Sequence, residues 1–244
     1  MFRIRRVLPP LGLAAILSFW FANAIQAGSA LDQTLYAKKL YDTGNYTQAI
    51  SYLDASIKTD PTIAESYGLR AYSYFKLGQF AKAADDFTSY LKINPSNENL
   101  YRLRGHCYFL TGRYREAIED LTTAIKATPY GSGLYKLRGE AHIQLGEYQK
   151  AVDDLSQAMI ISDNESSYAM ENAAKLVTAL TGIKDVSKAK ITGMPAYDRE
   201  NMAEILHFRA MALDKLGNTN LAKKDRECEQ GFGGYRPHDP RLGI

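Results

Sequence analysis

The sequence predicts an all-α protein, a solenoid of stacked helix–turn–helix hairpins. Two observations carry that prediction. Gly44, Gly78, Gly112 and Gly146 recur every 34 residues, and Tyr46, Phe80, Tyr114 and Tyr148, then Ala49, Ala83, Ala117 and Ala151, repeat at the same interval. Pro61, Pro95 and Pro129 close the first three units. A fixed period of this length marks a repeat architecture. A single helix of about 14 residues is marginal in water, so each unit must bury its apolar faces against its neighbours.

Residues 1–27 precede the repeats and read as a secretory signal peptide, or failing cleavage as a short membrane anchor. Arg3, Arg5 and Arg6 form a positive start, Leu11 to Phe21 is an uncharged run, and small residues follow at Ala22, Ala24 and Ala27. The run is shorter than the roughly 20 residues of a membrane span. Export is therefore expected, to the periplasm in a Gram-negative cell and otherwise outside the cell, with no membrane span after cleavage. This leader holds three of the 30 Lys+Arg and no acid, so the 27 basic residues beyond it balance 27 acidic ones. No basic excess is left to neutralise phosphates, which argues against nucleic acid as a partner. Two cysteines, Cys107 and Cys228, lie far apart in the chain and suggest no bridge.

The repeat units begin at residues 30, 64, 98 and 132, giving four repeats over 30–163. Counted from each start, position 8 is small (Ala37, Ala71, Gly105, Gly139) and position 20 is alanine. Small side chains there let two helices cross closely, and the glycine between them permits a helix end and turn. A fifth unit over 203–232 keeps Ala210 and Ala222. Residues 164–202 read as a degenerate repeat or a helical insertion, and 233–244 as a tail. Tyr90 and Glu229 interrupt an otherwise small column at position 27. Glu229 suits a last repeat with nothing packed beyond it, while the pattern gives no account of Tyr90.

At position 7 stand Arg70, Arg104, Arg138 and Arg209, and at position 23 stand Asp86, Asp120, Asp154 and Asp225. The first unit has Tyr36 and Tyr52 instead. Arginine and aspartate occur together or not at all, which predicts one bidentate ion pair per repeat clamping its two helices. The competing reading is an arginine row that binds phosphate or carboxylate.

The glycine, aromatic, alanine and proline columns resemble the tetratricopeptide repeat, strongly over 30–163 and weakly over 203–232. That resemblance implies a right-handed α–α superhelix of five to six hairpins, and a concave groove lined by positions 2, 5, 9, 12 and 13 of the first helices. Carried onto this chain, these are Lys38, Tyr41, Tyr72, Phe75, Lys76, Arg102, His106, Phe109, Lys136, Glu140 and Ile143. An aromatic strip with mixed charges suits an extended or helical peptide. The alternative is that the position-12 side chains only pack against neighbouring helices. Relatives that bind chaperone C-termini use lysine and asparagine clamps, and Thr34, Lys38, Leu69, Asn99 and Leu103 at the matching positions do not form one.

No catalytic pattern accompanies the repeats. His106, His142, His207 and His238 lack metal-ligand spacing. His106 and Cys107 are adjacent and point apart on a helix. The expectation is a scaffold without cofactor or metal, binding a protein or peptide. A self-associating structural subunit of an envelope or secretion assembly is the alternative, a hydrolytic enzyme the remote one, and oligomeric state stays open.

Overall fold

The computed structural model describes residues 29–162 and 196–234, and all regular structure there is α-helical. The helices are α1 (Ala30–Asp42), α2 (Tyr46–Thr59), α3 (Ala64–Lys76), α4 (Phe80–Ile93), α5 (Glu98–Leu110), α6 (Tyr114–Ala127), α7 (Ser132–Gln144), α8 (148–162), α9 (Ala196–Lys215) and α10 (Thr219–Gly231). They pair consecutively into antiparallel hairpins. The hairpins fall into two compact units, the first ending at Asn94 and the second starting at Pro95. The leader, most of the 164–202 segment and residues 235–244 lie outside the described residues.

Each turn between paired helices has the same cause. Gly44, Gly78, Gly112, Gly146 and Gly217 take φ between 73° and 80°, where a side chain is strained. That conformation lets the next amide reach back to close a Schellman motif: Asn45 N–H donates to Leu40 C=O at 2.8 Å, and Arg113 N–H to Tyr108 C=O at 2.8 Å. At the described N-terminus, Ser29 and Asp32 cap α1 reciprocally in a capping box.

Close helix crossing follows from the small columns. Ala37, Ala49, Ala71 and Ala83 have no exposed surface. A Cβ added at Gly139 would lie 2.9 Å from Leu155 Cγ, so Gly139 is the hole into which Leu155 fits. Leu155 belongs to a column at position 24, with Leu53, Phe87 and Leu121, all fully buried. The same logic accounts for Tyr90. An added Cβ at Gly68, position 5 of that repeat, would come 2.9 Å from the Tyr90 ring. The large side chain at position 27 is thus matched by a missing one at position 5. In the first hairpin these two positions are Thr34 and Ser56, whose hydroxyls are 2.8 Å apart and both meet the Ser66 hydroxyl. In the last they are His207 and Glu229, with His207 Nδ1 3.4 Å from Glu229 Oε1. Glu229 therefore has a partner inside its own hairpin.

The arginines are paired as the column pattern predicts. Arg70, Arg104, Arg138 and Arg209 each donate Nε–H and Nη2–H to the two carboxylate oxygens of Asp86, Asp120, Asp154 and Asp225, at 2.6–2.8 Å. The structure adds a third contact. The Nη1–H groups of Arg70, Arg138 and Arg209 donate to Asp54, Thr122 and Ser156, all at position 25 of the preceding hairpin. One side chain thereby joins three helices. Tyrosines flank it, with the Arg104 guanidinium 5.5 Å from the Tyr101 ring and 5.6 Å from the Tyr108 ring. In the fourth repeat His142 replaces that second tyrosine, its Nε2 3.8 Å from Asp154 and its Nδ1 2.6 Å from Glu147.

The contact from Arg209 to Ser156 also orders the C-terminal hairpin. Ile205 shares a core with Leu155 and Ala158, and Val152 packs on Ala210, Leu213 and Ala222. The α9–α10 hairpin therefore docks directly on the α7–α8 hairpin, although 33 residues, 163–195, separate the two in sequence. Helix α9 also starts at Ala196, seven residues before the boundary read from the repeat columns. Those residues extend the first helix of the last unit.

Candidate functional site

The eleven residues expected to line a groove sit on first helices, spaced so that each set shares one helix face. Five belong to the first unit and six to the second.

In the first unit, Lys38 Nζ donates to both Asp42 oxygens at 3.0 and 3.2 Å, an exposed pair. Tyr41 stacks on Tyr46 with centroids 5.3 Å apart and meets Tyr72 edge-on at 6.4 Å. Burial pushes the Tyr41 phenol above its ordinary pKa. Tyr72 in turn meets Phe87 at 5.5 Å. Phe75 is 5 % exposed and stacks on Phe80 at 5.1 Å, so its ring is committed to the hairpin. Lys76 is exposed.

In the second unit, Phe109 stacks on Tyr114 at 5.6 Å. Position 12 thus has a packing role within its own hairpin at Tyr41, Phe75 and Phe109, the alternative raised from sequence. Ile143 packs against the Leu155–Ile205 core. The polar positions differ. Lys136 Nζ donates to Glu204 of α9 at 2.5 Å, joining α7 to α9. His106, on α5, is held at a pKa of about 4, first by burial and then by the Arg102 and Lys136 charges. Burial raises the Glu140 carboxyl to about 8, with Lys136 opposing that rise and Glu204 adding to it. Arg102 is half-buried like the clamp arginines, yet it forms no hydrogen bond or ion pair among the described residues. Glu204 escaped the sequence reading. It occupies position 2 of the last unit, but the 163–195 segment hides that this unit is the neighbour of the fourth.

The Glu140 shift has a sign that can be checked. A carboxyl whose pKa is raised on folding stabilises the native state below its unfolded value of 4.5, and that contribution is lost as pH rises through about 8. Between about pH 5 and 8 the melting temperature of the native chain should fall more steeply than that of Glu140→Gln. Parallel curves would show that Glu140 ionises freely.

The buried Cys107 thiol is pushed up to about 12, far from a reactive thiolate. Among the described residues no three His, Cys, Asp or Glu side chains gather as a metal site, and no helix is long and apolar enough to cross a membrane.

Residues 37–98 match the family described as Tetratricopeptide repeat, and residues 87–158 match Anaphase-promoting complex, cyclosome, subunit 3. No curated protein matches the sequence. Solved structures share the fold. A crystal structure of MamA superposes with a TM-score of 0.63 at 15% identity, covering 83% of this chain and 91% of that one. MamA 41-end from Desulfovibrio magneticus RS-1 gives 0.61 at 13% identity, covering 85% and 97%. YrrB, described as a TPR protein with an unusual peptide-binding site, gives 0.63 at 14% identity, covering 87% and 91%.

Proposed function

We propose that this chain, which is built of tetratricopeptide repeats, is an exported, non-catalytic scaffold. It holds a peptide segment of a partner protein against the inner faces of its first helices. One observation carries this reading. The arginines at position 7 are fully engaged in the fold, while Arg102 at position 5 is half-buried and has no partner among the described residues. A guanidinium kept in that setting suits an external acceptor. His106, held neutral beside it, and the Phe109 ring offer a hydrogen-bonding and an apolar neighbour. The peptide-binding site named for YrrB supports the same use of the fold. The leader, with its positive start and short apolar run, supports export.

The test is affinity capture from the native host followed by mass spectrometry. Arg102→Ala/Phe109→Ala should retain native helicity yet lose the captured partner by roughly 30-fold, the effect of removing about 2 kcal/mol of anchor energy. Undiminished capture by a folded variant would remove the inner face from the mechanism.

A further inference from the structure

We propose that the outward face of α1 pairs with the same face of a second copy of this chain, antiparallel, about a two-fold axis at Leu35. This patch borders the inner face read above and shares Lys38 with it, but it centres on Leu35 and Tyr36, which are not groove positions.

The repeats themselves show what that face is for. In the second hairpin the equivalents of Leu35 and Tyr36 are Leu69 and Arg70. Leu69 packs on Ala37, Ala49, Tyr52 and Leu53 of the preceding hairpin, and Arg70 reaches its Asp54. Positions 6 and 7 are therefore docking positions. In the first hairpin Leu35 and Tyr36 are 54% and 47% exposed, and Leu31 beside them is 57% exposed.

The last hairpin is built differently. Its position 24 holds Arg226 where the other hairpins bury Leu53, Phe87, Leu121 and Leu155, and its neighbours Lys223 and Glu227 are exposed. That is the polar outer face a terminal repeat needs in water. It also rules out head-to-tail stacking on α1, which would bury those charges against leucines. A closed pair through one shared patch is the remaining self-complementary solution.

Charge placement selects the antiparallel arrangement. Asp32 lies three residues before Leu35, and Lys38 lies three residues after it. Antiparallel pairing sets Asp32 of each copy beside Lys38 of the other and lays the Lys39 stem across Leu31. Parallel pairing would set like charges together. Lys39 has no hydrogen bond or ion pair among the described residues. A single helix face is small, so the dimer belongs to the weak class below about 1,200 Å² and dissociates on dilution.

Sedimentation velocity on the chain purified from its host should show a reversible, concentration-dependent dimer. Leu35→Glu should lower the association constant at least tenfold with unchanged far-UV circular dichroism. In a Cys228→Ser background, Leu35→Cys should crosslink to a covalent dimer with a short bis-maleimide. Asp32→Lys should weaken association, and adding Lys38→Asp and Lys39→Asp should restore it. A monomer at every concentration overturns the proposal. So does a dimer indifferent to Leu35→Glu, or association of this face with a different protein alone.

Discussion

Arg104→Ala should reduce unfolding free energy by about 3–5 kcal/mol, measured by urea denaturation. The size follows from what is left behind. Asp120 is 5% exposed, and its two oxygens accept from Arg104 Nε and Nη2 at 2.7 and 2.8 Å. Removing the guanidinium strands a carboxylate away from water, and that desolvation dominates the loss. The Tyr101 ring also loses its cation, while Tyr108 keeps the closer Arg113 guanidinium at 4.2 Å. Replacing both partners, Arg104→Met with Asp120→Leu, removes the stranded charge and should cost much less. Similar small losses in both chains would mean that the pair is too hydrated to clamp anything.

Leu155→Ala should cost about 2–5 kcal/mol, because it opens a cavity where α7, α8 and α9 meet. Its interaction with Gly139 gives the sharper expectation. Gly139→Ala alone would set a methyl 2.9 Å from Leu155 Cγ and destabilise by about 1–3 kcal/mol through overpacking. In the Leu155→Ala background the same methyl enters the vacated space, and alanine in a helix is worth about 0.5–1 kcal/mol over glycine. The sign of Gly139→Ala should therefore reverse. A double-mutant cycle by chemical denaturation reads this directly. Additive losses would show that the backbone, and not Leu155, sets the close crossing.

Much of this fold is legible because its determinants are local and recur. The glycine turns, the alanine crossings and the arginine–aspartate columns all act within one hairpin, so each unit states them again. Contacts between hairpins are harder to read, since they depend on which unit comes next. The third partner of the clamp is a case in point. Position 25 carries Asp54, Thr122 and Ser156, a column united by a side-chain oxygen and not by residue type. The attachment of α9 to the fourth hairpin is hidden for the same reason, with residues 163–195 standing between. Tyr90 looked like an irregularity only because its counterpart, Gly68, is an absence of side chain.

At the candidate site, helix-face spacing placed the residues correctly on first helices but left their commitments unstated. Phe75 and Arg102 occupy comparable groove positions in the pattern. One is spent on an intra-hairpin ring stack, and the other has no partner among the described residues. That distinction depends on the aromatic at position 17 and on the absence of a nearby carboxylate, neither of which a single column reveals.

The reach of the Arg70, Arg138 and Arg209 clamps into the hairpin beneath each has a consequence for how such a chain can change over time. Because aspartate, threonine and serine all serve as its landing point, the joint accepts any storey that offers one oxygen at the right height. Storeys can then be duplicated, or long detours spliced between them, without redesigning the joint.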